Sequence, residues 1–176
     1  MMASLALNEN KSWFETLYEQ HSKALWYYLL KTLGDAALAD DVFQETFYRM
    51  WRVRPKGLHP AQEKAYLYKI GTHIVIDIKR REKRTDRIFI RNSLEDEGEA
   101  PAVNTMFEGD LKPHFDMLSV KEKTLLWLAY VEEYNHRDIA KIVGIKEKTV
   151  KVLLFRAKKR LLGLLEGGIN EKENVR

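Results

Sequence analysis

A chain of 176 residues, 45% hydrophobic and 32% charged, has the composition of a folded protein of one ordinary domain or two small ones. It has no cysteine, which excludes a disulfide framework, a thiolate metal site and a thiol nucleophile, and suits a reducing compartment. The net charge of +4 says little by itself, but its layout is uneven. Residues 79–91 carry seven basic and two acidic side chains; residues 92–110 carry six acidic and none basic; residues 111–165 carry twelve basic and six acidic. No apolar run reaches the roughly 18–20 residues of a membrane span, and residues 1–10 lack the basic start and apolar core of a signal peptide. The expectation is a cytoplasmic protein without membrane insertion.

The pattern Ser12-Trp13-Phe14-Glu15 has the form of a capping box and predicts a helix start there. Phe14, Leu17, Tyr18, His21, Leu25, Tyr28 and Leu29 follow on one helical face. Gly34 is placed to end this helix and Asp35 to cap the next. The second helix turns Ala39, Val42, Phe43, Thr46, Phe47, Met50 and Trp51 inward and stops at Pro55. Its other face carries Asp40, Asp41, Gln44, Glu45 and Arg49, a set that suits either ordinary solvation near a helix N-terminus or a protein-contact surface.

A third helix begins near Pro60, with Leu67, Ile70, Ile74 and Ile78 inward, and runs into the basic block. Tyr66, Tyr68, Lys69, Thr72, His73, Lys79, Arg80, Arg81 and Lys83 combine aromatic rings with cations along it. Tyr68 alone suits a core. The set as a whole suits an unpaired nucleic-acid strand, whose bases stack on aromatic faces while cations follow the phosphates. The acidic block 92–110, with Gly98, Pro101 and Gly109 and no apolar period, reads as a flexible linker between domains at 1–91 and 111–176.

Beyond it, Ser119-Val120-Lys121-Glu122 is a second capping box, followed by Leu125, Leu128, Ala129 and Val131. Asn135 caps a short helix, 136–143, that buries Ile139 and Ala140; Gly144 supplies a tight turn. A helix over 146–165 then places Val150, Leu154, Ala157 and Leu161 inward. Helix, glycine turn and helix form a helix-turn-helix, whose second helix enters the DNA major groove. Its outer face here is Lys148, Thr149, Lys151, Val152, Phe155, Arg156 and Lys159: cations for phosphates or guanine edges, apolar groups for thymine methyls. The fold class is therefore all-α, in two small helical domains.

Together these residues resemble the extracytoplasmic-function (ECF) sigma factors of bacterial RNA polymerase. The resemblance rests on LADDVFQETFYRMW (38–51), AYLYKIGTHIVIDIKRR (65–81) and YVEEYNHRDIAKIVGIKEKTVKVLLFRAKKRL (130–161). It implies a transcription initiation factor without cofactor or metal, with core RNA polymerase and promoter DNA as partners and an anti-sigma factor as a further one. By resemblance, Asp40, Asp41, Gln44, Glu45 and Phe47 dock on the polymerase. Tyr66, Lys69, Thr72, His73, Lys79, Arg80, Arg81 and Lys83 open and hold the minus-ten DNA. Lys148, Thr149, Lys151, Val152, Phe155, Arg156 and Lys159 face the minus-thirty-five element.

The sequence departs from the family pattern at His73, where Asn is common, at Tyr66, where Trp is common, and at Val152-Leu153, where Ser-Arg is frequent. His73 suits either a base contact or packing. A competing class is a helix-turn-helix regulator that acts without polymerase, but such a protein has no use for the DDVFQETF face. An enzyme is the other; no phosphate loop, metal-ligand spacing or nucleophile–base pair stands out among the residues, His21, His59, His73, His114 and His136 included.

Overall fold

The structure, a computed structural model, describes residues 2–86 and 111–173, with side chains placed for 11–82 and 111–167. The expected linker 92–110 and the side chain of Lys83 lie outside the described residues. The described residues form helices only: α1 (Met2–Leu33), α2 (Ala36–Val53), α3 (Pro60–Asp86), α4 (Leu111–Asp116), α5 (Val120–Tyr130), α6 (His136–Val143) and α7 (Glu147–Glu173).

Most boundaries follow from local chemistry. Gly34 adopts φ +76 and its N–H closes on Leu30 O at 2.8 Å, ending α1. The Asp35 carboxylate accepts from Leu38 N at 2.9 Å and starts α2. Arg54 ends α2 in the left-handed region, held by Pro55 behind it and by its guanidinium over the Trp13 ring. Ser119 and Glu122 make a reciprocal capping box at α5, and Asn135 accepts from Asp138 N at 2.9 Å to cap α6. Some expectations fail: α7 continues past 165 to Glu173, and Trp51, expected inward, is 41% exposed. Ser12 does not start a helix: α1 already runs from Met2, so Ser12 is interior and its carbonyl accepts from Thr16 Oγ1.

Helices α1, α2 and α3 pack together, as do α4 to α7. The first group is cored by Leu17, Leu25, Leu29, Val42, Phe47, Met50 and Leu67, the second by Phe115, Leu125, Leu128, Ile139, Val150 and Leu154. Burying each of these larger side chains contributes about 1.5–3 kcal/mol before chain entropy is subtracted. The two groups also pack on each other, α3 against α6 and α1 against α5. Helix α3 therefore has two buried faces. Its periodicity marks the one bearing Leu67 and Ile74; Tyr68, Thr72 and Val75 are buried as well.

Candidate nucleic-acid interface

Three surfaces collect the residues expected to act. The first is the outer face of α2. Asp41 and Gln44 are exposed and make no ion pair or hydrogen bond among the described residues. Asp40 differs: its carboxylate accepts from Trp26 Nε1 at 2.6 Å, which ties it to α1. Glu45 accepts from Arg49 Nε at 2.6 Å, a pair that costs little to break because both side chains are about half exposed. Phe47 is 4% exposed, so the expectation that it contacts a partner directly is corrected. It lies within an aromatic cluster with Phe14, Tyr18 and Phe43, at ring separations of 4.9–5.9 Å, and supports the face from beneath.

The second surface is a groove of about 530 Å³ between the C-terminal half of α2 and α3. Tyr48 and Tyr66 supply ring faces, Val53 and Ile70 an apolar lining, and Arg52 and Lys69 positive charge, with the paired Glu45 and Arg49 at the α2 wall and His73 at the α3 side. Arg52 and Lys69 have no acidic partner among the described residues. Rings, apolar lining and unneutralised cations in one concavity are what an unpaired base with its phosphates requires.

The groove brings together Tyr66, Lys69 and His73 from the expected set and leaves the others elsewhere. Thr72 is fully buried and shares a 2.7 Å hydrogen bond with the Tyr28 hydroxyl, so it is a packing residue in this arrangement. Lys79 pairs with Glu82 at 2.8 Å, and Arg80 lies 3.9 Å from Asp77. Arg81 is exposed. Sequence reading missed Tyr48, Arg52 and Val53. The signal was present: Glu45, Tyr48, Arg49, Arg52 and Val53 recur at helical spacing on the side of α2 that borders α3.

The third surface is the helix-turn-helix. Gly144 takes φ +75, and the N–H groups of Gly144 and Ile145 both close on Ala140 O, at 2.9 and 3.0 Å. A side chain in that left-handed conformation costs about 1–2 kcal/mol. Val150, Leu154 and Ala157 anchor α7 inward. Lys148, Lys151, Val152, Phe155, Arg156 and Lys159 are exposed, Phe155 at 69%, while Thr149 is half-buried. The expected reading face is thus presented to solvent.

Between the two helix groups lies a polar cluster that no motif announced. Glu132, on the turn after α5, has a side chain only 6% exposed. It accepts from the Tyr68 hydroxyl at 2.6 Å and from Trp127 Nε1 at 3.2 Å, and pairs with Lys64 Nζ at 2.8 Å. Lys64 also lies over the Tyr68 and Tyr134 rings. Burial, together with Glu132, pushes the Tyr68 hydroxyl far above its ordinary range. His21 nearby is held below its ordinary value by burial and by the Lys64 charge, against the opposing pull of Glu132 and Glu63. Burial raises the Tyr28 hydroxyl to about 12.

Among the described residues no group of acidic or histidine side chains is placed to hold a metal ion, and no helix is long and apolar enough to cross a membrane.

Two family models match the chain: Sigma-70 region 2 over residues 17–85 and Sigma-70, region 4 over residues 115–161. The chain is similar to the ECF RNA polymerase sigma factor SigL of Mycobacterium tuberculosis, 31% identical over 164 residues that span 87% of this chain and 89% of that protein. It is also similar to the ECF RNA polymerase sigma factor SigM of Bacillus subtilis, 26% identical over 90% of this chain and 98% of that protein. Among solved structures, the sigma factor RpoE in complex with the anti-sigma factor NepR from Bartonella quintana superposes with a TM-score of 0.72 at 23% identity, covering 87% of this chain and 96% of RpoE. The last of these likenesses concerns the fold alone.

Proposed function

The chain belongs to the extracytoplasmic-function family of RNA polymerase sigma factors, and from that premise we propose how its helices divide the work of starting transcription. The protein binds core RNA polymerase and directs it to promoters; it acts by binding and by opening DNA, not by catalysis, in the cytoplasm. The unit within residues 1–91 docks on polymerase through Asp41 and Gln44, with Asp40 and Glu45 flanking and Phe47 supporting from inside. The same unit holds the opened minus-ten strand in the α2–α3 groove, with Tyr66, Tyr48, Arg52, Lys69 and His73 as the contacts. Lys79, Arg80, Arg81 and Lys83 continue the cationic path, and Thr72 positions α3. The unit within 111–176 reads the minus-thirty-five duplex with Lys148, Thr149, Lys151, Val152, Phe155, Arg156 and Lys159. Residues 92–110 connect them.

The observation that carries this reading is the groove. A helix-turn-helix regulator that ignores polymerase has no need of a second, single-strand site some 70 residues upstream of its duplex reader. Opening DNA takes no covalent chemistry, because capture of unpaired bases offsets the few kcal/mol of unstacking. An anti-sigma protein covering these faces, as NepR accompanies RpoE, is the expected regulator. The duplex-reading role is tested by Phe155→Ala with Arg156→Ala in transcription assays. We expect about a tenfold or greater loss at promoters that depend on the upstream element and a small loss at those that do not, since each base contact is worth about 1–3 kcal/mol. An equal loss at both classes contradicts base reading at these positions.

A further inference from the structure

The polar cluster between the helix groups has a geometry that the promoter-reading role does not use. The turn that carries Glu132 is built back onto α5: Val131 N and Glu132 N both close on Trp127 O, and Tyr134 N on Leu128 O. Glu133 takes φ 57, a conformation that L side chains rarely adopt, to make this turn. The result is a single carboxylate aimed across the boundary at two groups of α3, the Lys64 ammonium and the Tyr68 hydroxyl.

The rest of the boundary mixes aromatic packing with less favourable contacts. Tyr28 packs on Trp127 at 6.3 Å between ring centres, and the Tyr134 hydroxyl is buried with no hydrogen-bond partner among the described residues. Lys123, on α5, is held below its ordinary value chiefly by burial, against the opposing pull of Asp116 at 3.9 Å, with the Lys79 charge of α3 across the same boundary adding to the lowering. Glu132 thus supplies an ion pair and a charge-assisted hydrogen bond across this boundary, and it biases any equilibrium between a closed and an open arrangement toward the closed one.

The closed arrangement also conflicts with the proposed task. A Cβ built on Gly144, in the turn of the duplex reader, would lie 3.4 Å from Nε2 of His73, at the strand-holding groove. The minus-ten and minus-thirty-five elements are separated by roughly 25 base pairs, about 85 Å at ~3.4 Å per pair. Two sites in contact cannot occupy both.

We propose that Glu132 is a latch: by clasping Lys64 and Tyr68 it holds the free protein closed, with the duplex reader against α3, and it must release for the two units to span a promoter. The functional half of this inference rests on the sigma-factor reading; the latch itself does not.

Because the chain has no cysteine, Ala61→Cys and Lys121→Cys, both at exposed positions, allow spin labels on the two units and a distance measurement by electron–electron double resonance. The free protein is expected to give one narrow, short distance. Glu132→Lys and Lys64→Glu should each produce a broad, longer distribution at unchanged helicity, and the charge-swapped double variant should recover part of the short population. A broad distribution already present without these substitutions overturns the closed state. An unchanged short distance in Glu132→Lys with helicity intact overturns the latch. Should Glu132→Lys unfold, Lys64→Glu, at the rim of the cluster, decides with the same two outcomes.

A second readout separates this from the sigma-factor reading. Glu132→Ala should tighten binding to core polymerase with promoter DNA by up to about tenfold, as when a competent state rises from about 10% to most of the population. Glu133→Ala, the same charge change at an exposed neighbour, should leave it unaltered. Equal effects of the two overturn the regulatory role, whereas absence of polymerase binding by every variant, the unsubstituted protein included, contradicts the sigma-factor reading and leaves the distance result standing.

Discussion

Asp41→Lys lowers the affinity for core RNA polymerase by about 10²-fold, because an interfacial charge that meets its like costs several kcal/mol and each 1.4 kcal/mol is tenfold. The position isolates docking from folding. Asp41 is exposed and makes no hydrogen bond or ion pair among the described residues, so its replacement removes no internal contact. It does place a cation in the first turns of α2, which costs about 0.3–1 kcal/mol against the helix dipole, well below the margin that would unfold the domain. Asp40 would be a poorer probe, because losing its bond to the Trp26 indole disturbs the α1–α2 packing as well. Competition for core polymerase between the variant and the unsubstituted protein, with helicity monitored, measures the effect. Equal affinity at equal helicity removes the docking assignment.

The second large effect is expected at the groove. Arg52→Glu with Lys69→Glu should reduce promoter opening by about 10²-fold, since each stacked base is worth about 1–3 kcal/mol and the phosphates beside it would face two anions instead of two cations. Reactivity of unpaired thymines to permanganate in the polymerase–promoter complex reads the opening. Polymerase affinity, set by Asp41 and Gln44 nearer the N-terminus of α2, should stay near that of the unsubstituted protein, and so should binding of minus-thirty-five duplex. Neither residue has an acidic partner to lose among the described residues. Normal opening would show that the strand runs elsewhere. Tyr48, on the same groove and 55% exposed, would then be only a surface aromatic.

What could be read from the sequence depended on how local the physics was. The caps at Asp35, Ser119 and Asn135 and the turns at Gly34 and Gly144 each depend on a few consecutive residues, and all five stand where expected. The start of α1 shows the opposite case. Ser12 and Glu15 have the spacing of a capping box, but nothing upstream of Ser12 breaks a helix, and Lys11 with Glu15 at 3.8 Å makes an ordinary i, i+4 pair within it.

The periodicity of α3 marks one inward face, as for any helix packed on a single side. The second, with Tyr68 and Thr72, is buried by helices that lie far along the chain. Glu132 is the extreme of this: its partners Lys64 and Tyr68 are more than 60 residues away, and a lone glutamate beside another glutamate carries no local pattern. The groove stood in between. Its α3 side was legible as aromatic and basic, whereas its α2 side was hidden because the polar face of that helix was divided between solvation and docking, and Tyr48, Arg52 and Val53 fell in neither set.

The central claim is that this chain converts core polymerase into a promoter-specific enzyme. Transcription by purified core RNA polymerase from a library of promoter sequences, with and without the protein, tests it directly. The account predicts starts that depend on the protein and that share one minus-ten and one minus-thirty-five sequence, lost with Asp41→Lys. Transcription no different from that of core polymerase alone would contradict it.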